Sequence, residues 1–399
     1  MDDFSLTFDA VAEAKAGPKW RARWHRSWPS YQAWFLSRDG DGGPSRATCE
    51  AALGRHMPEL LPVHHRLVQL AGGGDRAARF LSTWCPPAYL GGCSLAACAD
   101  EKSVRLVRNY DLSPDLNEGL LLRSEWSGMP VMGMIEFLWG LSDGVNQAGL
   151  CAALAFGGRS EVREGFGVTT ILRYVLETCA SVAEALTVLR RVPSHMAYNI
   201  VLADSAGATA TAELIPGGGV RMLQPAIATN HQHGEERADY PAFTNTGPRR
   251  VFLNDLVGAE VDPKALTDAF LKHPLFQTDY ARGFGTLFTA AYDPVGRGLT
   301  MRWPDRSWTQ TLDRFAEGQQ HIVYDDRIET TSSCPSASGP DLMASLAEVR
   351  HYLPKTAAAR FDRWAADARR REPDWAGFGR LFDYRRAAIK REAALTEAD

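Results

Sequence analysis

Cys93, preceded by glycine and followed by a small hydroxyl residue in Gly92-Cys93-Ser94, is the side chain whose type and setting most invite chemistry. A thiol attacks only as its thiolate, so it needs a base or a cation close by. No histidine stands shortly after Cys93, and no G-x-S-x-G turn precedes a helix, so the serine-hydrolase arrangement does not apply. The nearest charged groups downstream with chemical potential are in the string Arg108-Asn109-Tyr110-Asp111. The runs 92–99 and 103–111 are β-rich and flank the polar Asp100-Glu101-Lys102, a pattern that predicts a hairpin. With the turn centred on Lys102, Asp111 would lie directly opposite Cys93. Arg108 would then have the other parity, and both could face the thiol only over a bend or bulge near Asn109. Cys98 falls on the strand face opposite to Cys93.

The rest of the chain must supply the frame. Its 399 residues are 45% hydrophobic and 23% charged, enough to bury a core without disulfide staples. A net charge of -4 provides no general basic field, so nucleic acid is not an expected partner. No run of eighteen apolar residues occurs, and the start MDDFSLTFDAVAEAKAG lacks the apolar core of a secretory signal. The expectation is a cytoplasmic protein that does not engage membranes. Seven scattered cysteines without a CxxC pair predict neither a metal site nor a disulfide framework. Cys151 and Cys179 sit on core-facing patterns and read as packing.

Residues 1–92 read as mostly helical. Within them, KWRARWHRSWPSYQAWF offers tryptophan and arginine for stacking on RNA or a membrane surface, but aromatic residues at helical spacing more often dock on a core. Strands are predicted at 120–123, 131–136 and 150–156, the last after a turn at Asp143-Gly144. The apolar face Val168, Ile171, Leu172, Val175 predicts one helix, and Ser181 with Glu184 forms the capping box of a second. AYNIVLAD and ATATAEL then predict a hairpin, 249–274 a helical stretch, and 285–294 with 299–304 a last hairpin. Helix pairs followed by antiparallel strands indicate layered α+β architecture. Residues 326–341, with TTSSCPSASGPD at 330–341, read as a linker, and the charged, Ala-rich tail (342–399) as a helical extension on the domain or a second subunit.

In order along the chain stand Gly92-Cys93-Ser94, RNYD (108–111), DGVNQAGL (143–150), ILRYVLE (171–177), the N-x-x-x-x-D-x-x-G hairpin at 199–207, and TNHQH (229–233). Together they resemble the acyl-coenzyme A:6-aminopenicillanic acid acyltransferase-like (C45) group of N-terminal-nucleophile hydrolases, relatives of penicillin V acylase and choloylglycine (bile salt) hydrolase. The resemblance implies a four-layer αββα sandwich over 93–325, with 1–92 as a helical pro-segment. It also implies self-cleavage between Gly92 and Cys93. The freed α-amino group, with a reference pKa of about 7.7–8.0 against about 8.5 for a thiol, would then serve as the base that the sequence otherwise lacks.

Roles carried over by the resemblance are specific. Cys93 is the nucleophile, Arg108 favours its thiolate, and Asp111 holds the ammonium or the thiol proton. Asn230 of TNH donates to the oxyanion. Tyr110 and His231 come as neighbours, and Arg302 stands roughly where the acyltransferase has a functional arginine. A second oxyanion asparagine of the penicillin V acylase and bile salt branch is missing, since Ala155 or Phe156 aligns there; backbone N–H groups would have to complete the hole. The implied substrate is a small N-acyl amide or thioester, with acyl-CoA as a candidate donor, no cofactor, no metal, and a homo-oligomer as the candidate assembly. The competing expectation is an unprocessed, non-catalytic binding protein of the same fold.

Overall fold

Alternation of apolar and polar residues builds two antiparallel-rich sheets, and helices close both outer faces. The computed structural model describes residues 4–89, 92–159, 161–233, 244–259, 261–280 and 284–324. The expected linker 326–341 and extension 342–399 lie outside the described residues.

The chain opens with strand β1 (Phe4–Ala12) and four helices, α1 (Pro18–Ser37), α2 (Arg46–His56), α3 (Leu61–Leu70) and α4 (Asp75–Ser82). Strands β2 (Gly92–Ala99) and β3 (Val104–Leu112) form the expected hairpin. Next come β4 (Leu120–Ser124), β5 (Val131–Glu136), β6 (Gly140–Asn146) and β7 (Cys151–Phe156), then α5 (Val168–Thr178) and α6 (Val182–Arg191). Strands β8 (Tyr198–Ala203), β9 (Thr209–Leu214), β10 (Val220–Leu223) and β11 (Ile227–Ala228) lead to α7 (Thr246–Gly258) and α8 (Pro263–Ala269). The described part closes with β12 (Thr278–Asp279), β13 (Phe284–Asp293), β14 (Gly298–Arg302), β15 (Ser307–Thr311) and β16 (Gly318–Tyr324).

One sheet has nine strands in the order β10-β9-β8-β7-β6-β5-β4-β1-β16. The other has seven, β11-β2-β3-β13-β14-β15 with β12 beside β13. Cys93, Leu95, Tyr110 and Phe288 of the second sheet pack against Phe8, Met134, Ala153 and Ala155 of the first. The outer face of the nine-stranded sheet is covered by α5 and α6, that of the seven-stranded sheet by α7 and α8 through Leu253, Leu266 and Phe270. This is the αββα sandwich. Ser181 caps α6 as its spacing implied, accepting from the Glu184 amide at 3.3 Å. Among the described residues no helix is long and apolar enough to cross a membrane.

Two elements differ from expectation. The first segment is not helical throughout, because Phe4, Leu6, Phe8 and Ala10 alternate inward and make β1 an interior strand. It runs parallel to β4 and antiparallel to β16. Asp143-Gly144 is not a turn either. It lies within β6, and the reversal falls on 147–150, where Asn146 Oδ1 accepts from the amides of Ala148 and Leu150 at 3.1 and 2.9 Å. The Trp/Arg stretch becomes α1, with Trp20, Trp24, Trp34 and Phe35 buried and Trp24 stacked 4.4 Å from Trp28. Burial of large apolar rings drives this docking.

Candidate active site

Gly92 is required by space. A Cβ there would lie 2.7 Å from the Asp111 carbonyl oxygen and 2.4 Å from the Phe284 ring. The next residue, Cys93, is only 2% exposed and points into the layer between the sheets.

The turn that sets its partners is centred between Glu101 and Lys102. Asp100 Oδ1 accepts from the amides of Lys102 and Ser103 at 2.7 and 2.8 Å, which fixes a two-residue loop. The register therefore moves by one residue from that expected. Cys93 stands opposite Tyr110, Gly92 opposite Asp111, and Leu95 opposite Arg108. Because side chains alternate along a strand, Arg108 now shares the face of Cys93 without any bulge, and Asp111 does not. Within this sheet a register irregularity lies on β13, between Thr286 and Phe288.

On the inner face, Arg108 Nη2 donates to Cys93 Sγ at 3.2 Å. The guanidinium is anchored from behind, with Nη1 donating to Asp143 Oδ2 at 2.7 Å and to the Ser142 carbonyl at 2.8 Å. Asp143 Oδ1 in turn accepts from the Tyr292 hydroxyl at 2.6 Å. Below, the Arg108 guanidinium lies 4.3 Å from the centre of the Tyr110 ring, whose hydroxyl donates to Glu136 Oε1. Burial pushes the Cys93 thiol up to about 11; Arg108 opposes this, and Asp111 and Glu136 add to it. Burial likewise lifts Glu136 to about 7, against the pull of Arg108 and Tyr110. Burial thus favours the protonated thiol, held beside the Arg108 cation.

The backbone of Cys93 is gripped from the other side. Its N–H donates to Asn230 Oδ1 at 3.0 Å, and its carbonyl accepts from Arg249 Nη1 at 2.6 Å. Arg249, wholly buried at the start of α7, also donates to Ser94 Oγ at 2.8 Å and to Asn230 Oδ1 at 2.9 Å. Both donors to Asn230 Oδ1 can only donate, so they determine which end of the amide faces Cys93. Asn230 Nδ2 donates to the Phe156 carbonyl at 3.3 Å. Asn199 explains its own motif: its Nδ2 donates to the carbonyls of Thr229 and His231, at 2.9 and 3.0 Å, and cradles the TNH segment.

Asp111 faces this outer side, where Oδ1 accepts from Thr286 Oγ1 at 2.7 Å and Oδ2 lies 3.7 Å from Arg249. Burial raises its pKa, with Arg249 and Thr286 opposing. His231 turns to Thr246, with Nδ1 2.8 Å from its hydroxyl, and burial together with the charges of Arg250 and Arg249 lowers its pKa to about 4. Arg302 is not brought to the site. It pairs with Asp268 of α8 at 2.5 Å, because β14 turns that side chain toward the outer helices. The buried arginine beside the Cys93 backbone is Arg249, which sequence reasoning misses because its stretch reads only as helical. Asp143 is part of the DGVN string but no pattern gives it a role, and Glu136 reads only as the end of a strand. At the position of the missing second asparagine, Ala155 and Phe156 offer no side-chain donor, and the Gly157 amide donates to Ala197 O at 2.9 Å.

A cavity of about 330 Å³ lies where α1, α2 and α4 meet the sandwich. Trp34, Phe35, Phe80, Trp84, Tyr89 and Phe137 contribute to its aromatic lining. Phe137 comes directly after Glu136 and sits with Leu138 in left-handed backbone (φ 55° and 70°), a conformation that costs non-glycine residues energy.

The model of the acyl-coenzyme A:6-aminopenicillanic acid acyl-transferase family matches residues 98–308, just over half of the sequence. The chain belongs to this family. The match covers Arg108, Asp111, Asn230 and Arg249 and starts just after Cys93. Among solved structures, a penicillin V acylase from Agrobacterium tumefaciens is similar at 16% identity, over 59% of this chain and 93% of that one, with a TM-score of 0.40. A variant of the conjugated bile acid hydrolase from Clostridium perfringens is similar at 12% identity over 60% and 100%, TM-score 0.40. An N-acylethanolamine-hydrolyzing acid amidase ortholog from Caenorhabditis elegans is similar at 15% identity over 58% and 99%, TM-score 0.39. No curated protein matches the sequence.

Proposed function

We propose that this member of the acyl-transferase family is a self-processing N-terminal cysteine enzyme that cleaves or transfers the acyl group of a small amide or thioester. The observation that carries the reading is the double hold on Cys93: Arg108 on the sulfur at 3.2 Å, and Asn230 on the nitrogen at 3.0 Å. In processing, Cys93 Sγ adds to the Gly92 carbonyl carbon and the Gly92–Cys93 C–N bond breaks. The thiol proton goes to the departing nitrogen, and water hydrolyses the thioester to a Gly92 carboxylate and a free thiol. The new amine then takes over as base. Arg249, which shares Asn230 Oδ1 with that nitrogen, disfavours the ammonium form and keeps the amine a proton acceptor near neutrality. In turnover the same sulfur attacks the substrate carbonyl, the amine returns the proton to the leaving group, and water or a second amine accepts the acyl group from Cys93. Thiol and amine suffice, so the scheme calls for no metal or cofactor; acyl-CoA enters it only as a donor thioester.

Intact mass measurement of the purified protein tests this. The expected result is a chain ending at Gly92 and one beginning at Cys93, migrating together under native conditions because β1 stays paired between β4 and β16. A single uncut species after long incubation would favour the rival reading, a non-catalytic binding protein. The thiol's burial and its pKa of about 11 in the uncut chain are what that rival has in its favour.

Glu136 yields a second expectation. Below about pH 7 its carboxyl is neutral and leaves the charge of Arg108 to the sulfur. Above that, the carboxylate adds negative potential at Sγ and holds the thiol protonated. A Glu136→Gln variant, neutral at every pH, should therefore alkylate with iodoacetamide at Cys93 faster than wild type above pH 7 and equally below pH 6. Parallel pH profiles for the two proteins would remove Glu136 from the account.

A further inference from the structure

We propose that α2 and α3 carry a divalent-cation site, best suited to Zn²⁺, built from Glu50, His64 and His65. One ligand atom from each of these side chains lies within 4.8 Å of the other two. A tetrahedral zinc with ligands about 2.0–2.2 Å from the metal sets them about 3.4 Å apart, so the side chains of Glu50 and His65 would have to close by about 1 Å to complete the set.

His64 supplies the independent observation. Its ring is fully buried, and Nε2 lies 2.9 Å from the Ala78 carbonyl of α4. A carbonyl can only accept, so Nε2 carries the proton and Nδ1 is left with its lone pair. That Nδ1 is buried and has no hydrogen-bond partner. A buried polar atom without a partner is costly, and a histidine that donates one nitrogen to a backbone carbonyl while the other stays open has the arrangement metal ligands adopt. His65, half exposed, brings its Nε2 to 3.9 Å from Glu50 Oε1. Arg46 donates to the same Oε1 at 2.8 Å, so a metal here would share the Glu50 carboxylate with that guanidinium. Two imidazoles and one carboxylate, with a fourth position left for water, are a donor set that zinc accepts.

The location suggests what the ion would do. Cys49 of α2 and Arg79 and Phe80 of α4 line the aromatic cavity, and His64 of α3 bonds to the Ala78 carbonyl of α4. A cation here would fasten α2, which carries Glu50, to α3, which carries both histidines. No spacing in the sequence announces the site, because its ligands come from two separate helices.

The test uses the full-length protein, stripped with chelator and dialysed against Zn²⁺, with bound metal counted by elemental analysis. Wild type should hold one Zn²⁺ per chain. Glu50→Gln and His65→Ala, at partly exposed positions, should each bind at least about tenfold more weakly, with unchanged melting temperatures in the absence of metal. Arg46→Gln, which frees Glu50 from its ion pair, should bind as tightly as wild type or more tightly. Cys93→Ala should bind as wild type does, and the Co²⁺ form should show no thiolate charge-transfer band. Wild-type affinity in both ligand variants, substoichiometric zinc in wild type, or weaker binding by Arg46→Gln would each overturn the proposal. None of these results depends on whether Gly92–Cys93 is cut.

Discussion

A Cys93→Ala variant is expected to remain one uncut chain and to lose acyl-group turnover by roughly 10⁶-fold, the scale on which covalent catalysts fail without their nucleophile. Its fold should survive. The side chain sits among Leu95, Ala153 and Ala155, and removing one sulfur from such a core costs about 1 kcal/mol. Activity and stability are thereby separated, as they would not be for a residue that merely packs. Cys93→Ser supplies the finer reading. A hydroxyl occupies nearly the same space but gains far less from Arg108 at 3.2 Å, since the alkoxide is much harder to form than the thiolate. Serine should therefore slow cleavage strongly, and any cut product should appear over days. Equal cleavage of the wild type and both variants would show that an outside protease makes the cut.

Arg249→Met should have the second-largest effect, on stability and on processing alike. The substitution removes the donor to Cys93 O, Ser94 Oγ and Asn230 Oδ1 in one step. It also leaves Asp111 buried without the guanidinium 3.7 Å away. Breaking a buried pair from one side costs about 3–5 kcal/mol, visible as a lower midpoint in denaturant. Combining Arg249→Met with Asp111→Asn leaves no charge stranded and should recover a good part of that loss. The double variant should not recover processing, because Asn230 would still lack the donor that fixes its amide. Arg249→Lys keeps the charge but cannot reach three acceptors in a fork, so it should fold better than the methionine variant and still process slowly. Wild-type cleavage in the Arg249→Met protein would dismiss Arg249 as a positioning group.

Much of this protein can be read from its residues alone. The alternation in GCSLAACA and SVRLVRNYD, the apolar face of α5 and the Ser181–Glu184 box are local signals, and each becomes the element it implies. The ordered motifs name the family, whose model matches 98–308. Cys93 and Arg108 stand out by residue type and spacing, whereas Asn230 stands out only through the family resemblance that its TNH string carries.

What the tertiary structure alone decided concerns faces and partners. One residue of turn register, set by the Asp100 carboxylate, moved Arg108 to the sulfur and Asp111 to the other side of the sheet. A period of two makes every such step a reversal, and sequence spacing cannot resolve a single residue in a turn. Arg249 and Glu136 reach the site from elements far along the chain, as Asp143 does beneath Arg108, while Arg302 is carried away from it by β14. Contacts between distant segments depend on how layers pack, and no local pattern of residues records that.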